Sequence, residues 1–313
     1  MKKGTATVVK NSGSHYILSE LPEWNLFPAV LKGRMRLNLS GTTNPVAVGD
    51  RVDYELDGEA TEEHPALITG VQDRRNYVIR RSTNLSRRSH VIAANLDQAL
   101  IAVTLYFPEI KLPFLDRLLV TCEVYGVPAV IVLNKMDMYG SEVPEEVEAF
   151  KRIYEGAGYR VLCTSARTGD GIDELRELCR GRLSLLSGES GVGKSSLIHA
   201  VDSGLNPKVG LISDAHPQGR HTTSLYEMYP LAHGGYMIDS PGLRGFGLVD
   251  LEKEEIAKYF PEMLRVSDDC RFVPCTHTHE PGCAVKQGVE AGTISAERYS
   301  SYLGMLEEDG KFR

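Results

Sequence analysis

Short runs of apolar and β-branched residues fill the first 75 positions of the chain, with turn residues between them. Several of the runs alternate apolar and polar positions, which is typical of half-buried strands. The runs are Thr5–Lys10, His15–Leu18, Ala29–Leu37, Arg51–Leu56 and Ala66–Val71. Turn signals such as Asn11-Ser12-Gly13 and Asp57-Gly58 separate them. Five such strands in residues 1–75 predict a small closed barrel of OB type.

From residue 93 the pattern changes to buried strands that alternate with helices. The predicted strands are Gln98–Thr104, Ala129–Leu133, Arg160–Cys163, Leu183–Leu186, Tyr226–Tyr229 and Tyr236–Ile238. The predicted helices are Pro113–Tyr125, Pro144–Glu155, Ile172–Cys179 and one that begins near Ser196. This alternation predicts a doubly wound α/β domain over residues 93–250, with its ligands at the carboxyl ends of the strands. Residues 251–313 are predicted to be helical, with a last helix at Ser295–Glu308.

Charge is distributed unevenly along the chain. The 313 residues carry a formal net charge of −7, which argues against a wholly basic nucleic-acid binder. Residues 1–95 hold 13 Lys/Arg against 10 Asp/Glu, whereas the remainder is net acidic. Any RNA contact is therefore expected in the N-terminal third. No apolar run approaches membrane-spanning length and no signal peptide is recognisable, so we expect a cytoplasmic protein without a membrane partner.

An arginine-rich stretch joins the two predicted domains, and residues 76–92 are interpreted as a basic linker. Between Asp73 and His90 it carries Arg74, Arg75, Arg80, Arg81, Arg87 and Arg88. It fits either a phosphate-contacting connector or a simple solvated linker. The same two readings apply to a basic strand face formed by Lys32, Arg34 and Arg36.

A phosphate-binding motif stands at the centre of the α/β region. The G-x-x-x-x-G-K-[ST] pattern is matched by Gly188, Glu189, Ser190, Gly191, Val192, Gly193, Lys194 and Ser195, and Ser196 follows. A strand precedes it and a helix follows, so backbone N–H groups and the helix dipole point at phosphate. Lys194 would reach the β- and γ-phosphates, and the Ser195 hydroxyl would bind Mg²⁺. The alternative is an ordinary Gly/Ser turn.

A base-reading loop is predicted after the strand Ala129–Leu133. The loop reads Asn134-Lys135-Met136-Asp137, and the Asp137 carboxylate can accept from guanine N1–H and its amino group. Adenine lacks these donors and would leave Asp137 unpaired. Asn134 would contact the other guanine edge, and Lys135 would cover the ring. A helix cap is the alternative. Ser165 and Ala166 resemble the second guanine-contacting loop of GTPases.

A switch region is predicted from two further motifs. Asp239 and Gly242 fit D-x-x-G, in which Asp239 would hold Mg²⁺ through water and the Gly242 N–H would sense the γ-phosphate. Thr222 or Thr223 would complete the Mg²⁺ ligands; spacing does not choose between them, and Thr223 is the position we assign. Leu243 stands where many GTPases place a water-orienting glutamine, and a leucine cannot orient water.

A cysteine cluster lies in the C-terminal region. Cys270, Cys275, His277 and Cys283 supply three thiolates and one imidazole within 14 residues, which predicts one closed, structural Zn²⁺ site. His279 is a competitor for His277, and free thiols without metal are the other alternative.

The order of the motifs identifies a family resemblance. In ordinary GTPases the P-loop comes first, whereas here the N-K-x-D and S-A loops precede it, so the GTPase domain is circularly permuted. With the N-terminal barrel and the C-terminal cysteine cluster, the whole chain resembles the ribosome small subunit-dependent GTPase A (RsgA) family. The resemblance implies a GTP/GDP-binding GTPase, here taken to be a monomer, that binds the 30S subunit and 16S rRNA late in subunit maturation. It also assigns the catalytic role to the switch-I histidine, here His221, and favours His277 as the zinc ligand.

Two other classes of function compete with this interpretation. One is an RNA-binding module with a vestigial nucleotide fold, against which Lys194, Ser195 and Asp239 argue. The other is a P-loop kinase for a small metabolite, which Asn134 and Asp137 oppose.

Overall fold

The structure is a computed structural model that describes residues 2–33, 45–81, 89–205, 226–239 and 251–307. Its strands are β1 Lys2–Ser12, β2 His15–Ser19, β3 Leu26–Leu31, β4 Arg51–Leu56, β5 Ala66–Val71, β6 Tyr77–Arg81, β7 Ser89–Ala94, β8 Gln98–Val103, β9 Ala129–Leu133, β10 Arg160–Cys163, β11 Leu183–Gly188, β12 Glu227–Pro230 and β13 Tyr236–Asp239. Its α-helices are α1 Leu112–Val124, α2 Met136–Tyr139, α3 Pro144–Ala157, α4 Ile172–Cys179, α5 Lys194–Val201, α6 Pro261–Leu264, α7 Ala284–Glu290 and α8 Ala296–Glu307. Two 3₁₀ segments lie at Lys253–Tyr259 and Ser267–Asp269. No helix in these ranges is long and apolar enough to span a bilayer.

The N-terminal strands close into a barrel. β1 pairs antiparallel with both β2 and β4, β2 pairs with β3, and β3 runs parallel to β5, which returns to β4. The strand order β1-β2-β3-β5-β4-β1 confirms the predicted OB-type barrel. Its core contains Val8, Tyr16, Leu18, Tyr54 and Ile68. β3 starts earlier than predicted and ends at Leu31; Lys32 then pairs with Glu55, while Arg34 and Arg36 lie outside the described residues.

The predicted linker is partly structured. β6 and β7 pair antiparallel as a two-stranded ribbon, so much of the predicted basic linker 76–92 consists of strands at 77–81 and 89–94. The Arg74 guanidinium is turned toward the protein. It donates two hydrogen bonds of 2.7 Å to the buried Asp50 carboxylate. Arg75 pairs with Asp97 at 2.8 Å. Arg74 therefore fastens the chain before β6 to the barrel, because the buried Asp50 carboxylate requires a paired cation, and the more exposed Arg75 ties the same segment to Asp97 at the start of the α/β domain.

The α/β domain has the predicted doubly wound form. β10, β9, β8, β11 and β13 run parallel in that order, and β12 joins antiparallel at the edge. One core layer holds α1 and α3, with Leu115, Leu119 and Phe150. The other holds α4 and α5, with Leu175 and Ile198. The carboxyl ends of β9, β10, β11 and β13 therefore meet at one edge, where the predicted motifs begin.

The C-terminal region packs on α1. Val120 of α1 shares an apolar cluster with Phe260, Met263 and Tyr302. A buried ion cluster crosses the same boundary. Arg298 of α8 bonds both oxygens of Glu262 at 2.7 and 3.0 Å and Asp116 of α1 at 2.8 Å. All three side chains are almost fully buried.

Candidate nucleotide and zinc sites

The P-loop is a tight turn that only glycine fits at its ends. Gly193 has φ +94°, and a Cβ there would lie 2.6 Å from the Asn134 Nδ2 atom. A Cβ on Gly188 would lie 2.3 Å from the Ala102 carbonyl oxygen. Both contacts are closer than van der Waals distance, so the loop requires glycine for space as well as for conformation. The loop leads directly into α5, whose first residue is Lys194.

Lys194 is held inside this loop. Its Nζ donates to the carbonyls of Gly188 and Glu189 at 2.9 and 2.8 Å. Burial lowers the pKa of Lys194, while the Asp239 and Glu189 carboxylates act in the opposite direction. The ammonium is therefore placed, partly desolvated and with no ion pair to any described residue, where an anionic ligand would gain most from it.

Asn134 joins the two loops that were predicted separately. Its Nδ2 donates to the P-loop carbonyl of Val192 at 2.9 Å. Its Oδ1 accepts from the Thr164 hydroxyl and from the Ala166 N–H, each at 3.2 Å. The side chain is 1% exposed, so these bonds are made away from water. Asn134 therefore fixes the base-reading loops against the phosphate loop.

Asp137 is already engaged on both carboxylate oxygens. Its Oδ1 accepts from the Ser165 hydroxyl at 2.5 Å, and its Oδ2 lies 2.6 Å from Arg167 Nε. The Ser165 bond, and then the Arg167 charge, hold the pKa of Asp137 below its usual range. The neighbouring Lys135 has φ +65° and donates from Nζ to the Phe107 carbonyl at 2.5 Å. Asp137 is thus an ionised, oriented acceptor.

Asp239 ends β13 beside the P-loop strand. It stands opposite Leu186 of β11 in the parallel pairing. Burial raises the pKa of Asp239, and the Lys194 ammonium opposes this rise. Its Oδ1 is buried and has no hydrogen-bond partner among the residues that the structure describes. A buried carboxylate oxygen without a donor is costly, and a hydrated divalent cation would satisfy it. The carboxylate therefore fits Mg²⁺ held through water.

The remaining predicted switch residues are not described. His221, Thr222, Thr223 and Gly242 lie outside the described residues, as does Leu243. Ser195 and Ser196 lie on the first turn of α5. The structure thus unites the P-loop, both guanine loops and Asp239 at one edge of the sheet.

The four predicted zinc ligands converge in the C-terminal region. Each of the four residues offers one ligand atom, and these four atoms all lie within 4.8 Å of one another. The residues are Cys270, Cys275, His277 and Cys283. His277 Nδ1 is 3.6 Å from the Cys270 sulfur and 3.4 Å from the Cys283 sulfur. Tetrahedral Zn²⁺ with ordinary bond lengths separates sulfur and nitrogen ligands by about 3.6 Å. The donor set and its spacing fit Zn²⁺, with Nδ1 as the histidine ligand atom.

Second-sphere bonds orient the zinc ligands. His277 has φ +56°, and its carbonyl accepts from the Tyr299 hydroxyl at 2.7 Å. The Tyr302 hydroxyl donates to the Thr276 carbonyl at 2.6 Å. The exposed His279 bonds Thr278 instead and is not in the cluster. α8 therefore holds the ligand loop through its tyrosines.

Three functional contacts escaped the sequence interpretation. Arg167 covers Asp137, the Phe107 carbonyl holds Lys135, and Arg298 bridges two domains. Arg167 follows the S-A dipeptide directly, so its position was visible in the sequence. Its partner was not, because ion pairs between loops depend on the fold.

The fold and the site together define a circularly permuted P-loop GTPase. The base-reading loop follows β9 and the P-loop follows β11, so the order along the chain is reversed while the loops meet in space. A sequence model described as RsgA GTPase matches residues 71–249. The chain belongs to the RsgA GTPase family and is a GTPase.

Relatives and solved structures agree with this assignment over the whole chain. The small ribosomal subunit biogenesis GTPase RsgA of Bacteroides fragilis is 47% identical over 308 residues, 98% of each chain. The protein of the same name from Flavobacterium psychrophilum is 43% identical and covers 97% of this chain and 93% of its own. The crystal structure of YjeQ from Thermotoga maritima has a TM-score of 0.79 at 33% identity, covering 97% of this chain and 98% of that one. YloQ, described as a circularly permuted GTPase, has a TM-score of 0.73 at 25% identity and covers 97% and 94%.

Proposed function

We propose that this GTPase binds the small (30S) ribosomal subunit, contacts 16S rRNA, and acts late in maturation of that subunit. The observation that carries the proposal is the likeness, over 98% of both chains, to a relative named for small-subunit biogenesis. The P-loop, both guanine loops and Asp239, which the structure describes, lie together at one edge of the sheet and support this proposal. In this proposal the protein is a cytoplasmic monomer, because the partner that it binds is the ribosomal subunit and not a second copy of the chain.

The guanine subsite is assigned to Asn134, Lys135, Asp137, Ser165 and Ala166. Asp137 accepts from the N1–H and amino group of guanine, and Ser165 holds the carboxylate in place. The Ala166 N–H, which donates to the Asn134 Oδ1 atom in this structure, is assigned to the base oxygen. Lys135, whose Nζ donates to the Phe107 carbonyl, is assigned to covering the face of the ring.

The phosphate subsite is assigned to the P-loop from Gly188 to Ser196. Lys194 neutralises the β- and γ-phosphates, and the backbone N–H groups of Glu189, Ser190, Gly191, Val192 and Gly193 cradle them. Ser195 and Thr223 would ligate Mg²⁺ and Asp239 would hold it through water, and the ion would supply positive charge to the phosphates. The Gly242 N–H senses the γ-phosphate. The family resemblance assigns the positioning of the attacking water to His221, a role that Leu243 cannot perform.

The C-terminal cluster is assigned to one structural Zn²⁺. Cys270, Cys275, His277 and Cys283 form a closed set of four ligands, which leaves no position for a substrate. The metal therefore holds the loop between the second 3₁₀ segment and α7, and takes no part in GTP hydrolysis.

The partner is tested by co-sedimentation with purified ribosomal subunits. The chain is expected to sediment with small subunits in the presence of a non-hydrolysable GTP analogue, and less with GDP. Large subunits and a P-loop variant, Lys194→Ala, are the controls. Equal sedimentation with both subunits, or none with small subunits, would contradict the proposed partner.

A further inference from the structure

The carboxylate assigned to reading the base is paired with an arginine, Arg167. The Asp137 side chain is 6% exposed, whereas the Arg167 side chain that pairs with it is 75% exposed. Arg167 thus lies over a buried carboxylate from the solvent side. The 2.6 Å separation of Nε and Oδ2 is that of a direct, charged contact.

Arginine and guanine offer the same donors to this carboxylate. The edge of guanine that Asp137 reads is a ring N–H beside an amino group on one carbon, which is a cyclic guanidine. The arginine side chain ends in the same unit, with N–H groups in a planar fork. Both recognise a carboxylate through parallel N–H donors, so they compete for the same oxygens.

The exchange of one for the other is energetically feasible. An ion pair to a mostly exposed arginine contributes little, because water and salt screen it and ordering the side chain costs entropy. A buried carboxylate left without any donor is costly. Arg167 therefore satisfies Asp137 while the base is absent and can leave it when the base arrives.

We infer that Arg167 is an internal competitor of the guanine base. It pairs with the Asp137 carboxylate and must swing away from it as the base binds. This inference rests on the proposed assignment of Asp137 as the guanine-reading residue. Because Arg167 must leave before the base can dock, it slows association of guanine nucleotides and has little effect on their dissociation.

The test is stopped-flow binding of a fluorescent GDP analogue to the full-length chain. Arg167→Ala is expected to raise the association rate constant by about twofold to fivefold, the range that an exposed ion pair permits. The dissociation rate constant is expected to stay unchanged. Arg167→Lys keeps a cation beside Asp137 and should give an association rate between the two.

A matched control is Arg160→Ala. Arg160 is another exposed arginine of the same domain, paired with Glu174 at the same 2.6 Å. The Arg160→Ala substitution removes the same positive charge at a position outside the base-reading loop. The association rate constant should therefore equal that of the parent chain. Slower or unchanged association in Arg167→Ala would overturn the inference, as would an equal acceleration in Arg160→Ala.

A second background separates this inference from the assignment on which it rests. Asp137→Asn is expected to bind a fluorescent xanthosine diphosphate, and it has no carboxylate for Arg167. Adding Arg167→Ala to that variant should not accelerate association, and acceleration there would overturn the competition. If Asp137→Asn instead binds GDP as the parent does, the assignment of Asp137 itself fails.

Discussion

Glu227 lies directly opposite Asp239 in the antiparallel pairing of β12 and β13. Residues opposite each other in such a pair share one face of the sheet, so two carboxylates are neighbours here. Each of these two carboxylates interacts with a lysine from a different part of the chain. Lys10 of the barrel pairs with Glu227 at 3.1 Å, and Lys194 of the P-loop acts on Asp239. Two facing carboxylates therefore lie between a lysine of the barrel and the lysine of the P-loop.

This row of charges predicts opposite effects of two substitutions. Glu227→Lys places an ammonium opposite Asp239 and should raise the Mg²⁺ concentration for half-maximal GTP hydrolysis about threefold or more. Lys10→Ala removes a cation from the row and should lower that concentration slightly. Magnesium titrations of GTP turnover give both values. A rise in both variants would indicate general disruption and contradict the electrostatic account.

Base choice depends on Asp137. Asp137→Asn should lower GTP affinity by a factor of about 10 or more and favour xanthosine nucleotides, because the new amide donor matches the xanthine oxygen. Competition binding with guanosine, xanthosine and adenosine triphosphates measures the change. Ser195→Ala is a useful control, since it should weaken all three nucleotides alike. An Asp137→Asn variant with unchanged GTP preference would refute the assignment.

The buried cluster around Arg298 is predicted to hold the C-terminal region on α1. Arg298→Met leaves the Asp116 and Glu262 carboxylates without a cation, and breaking a buried pair in this way costs about 3–5 kcal/mol. Urea denaturation measures the loss. The control is Arg265→Ala, in which a partly exposed arginine loses bonds to the carbonyls of Gly156 and Ala157 and should cost far less. Equal losses in the two variants would contradict the role of the cluster.

Much of the architecture could be predicted because it follows from local patterns. Five elements have the predicted bounds: strands β4, β5, β9 and β10 and helix α4. Turn residues, or the alternation of strands with helices, mark their ends in the sequence. The P-loop and zinc ligands carry fixed spacings, so they were found residue by residue. Patterns of this kind need no knowledge of distant partners.

The contacts between domains could not be predicted in the same way. Arg74 and Arg75 look like free basic residues until the fold brings Asp50 and Asp97 beside them. β6 was missed because it ends in Arg80 and Arg81, and β7 was missed because its first residues follow the same arginine-rich stretch. The bridging role of Asn134 also depends on a permuted neighbour, the Val192 carbonyl 58 residues away.

Zinc removal is expected to weaken coupling rather than nucleotide binding. A short segment, Leu243–Asp269, joins the D-x-x-G motif to the zinc ligands, and α8 and the cluster pack against α1. Cys275→Ala should lose the single bound zinc, keep GTP affinity, and lose part of the preference for small subunits with GTP over GDP. Metal content by mass spectrometry and co-sedimentation measure both. An unchanged preference in a zinc-free variant would contradict the coupling.

The most direct test of the whole account is GTP turnover with and without purified small ribosomal subunits. Because Leu243 cannot orient water, the free chain should hydrolyse GTP slowly, and small subunits should accelerate it by a factor of about 10 or more. Large subunits should not. His221→Ala should keep nucleotide binding and lose most of the acceleration. Turnover that small subunits leave unchanged would contradict the proposed function, and full acceleration of His221→Ala would remove His221 from the mechanism.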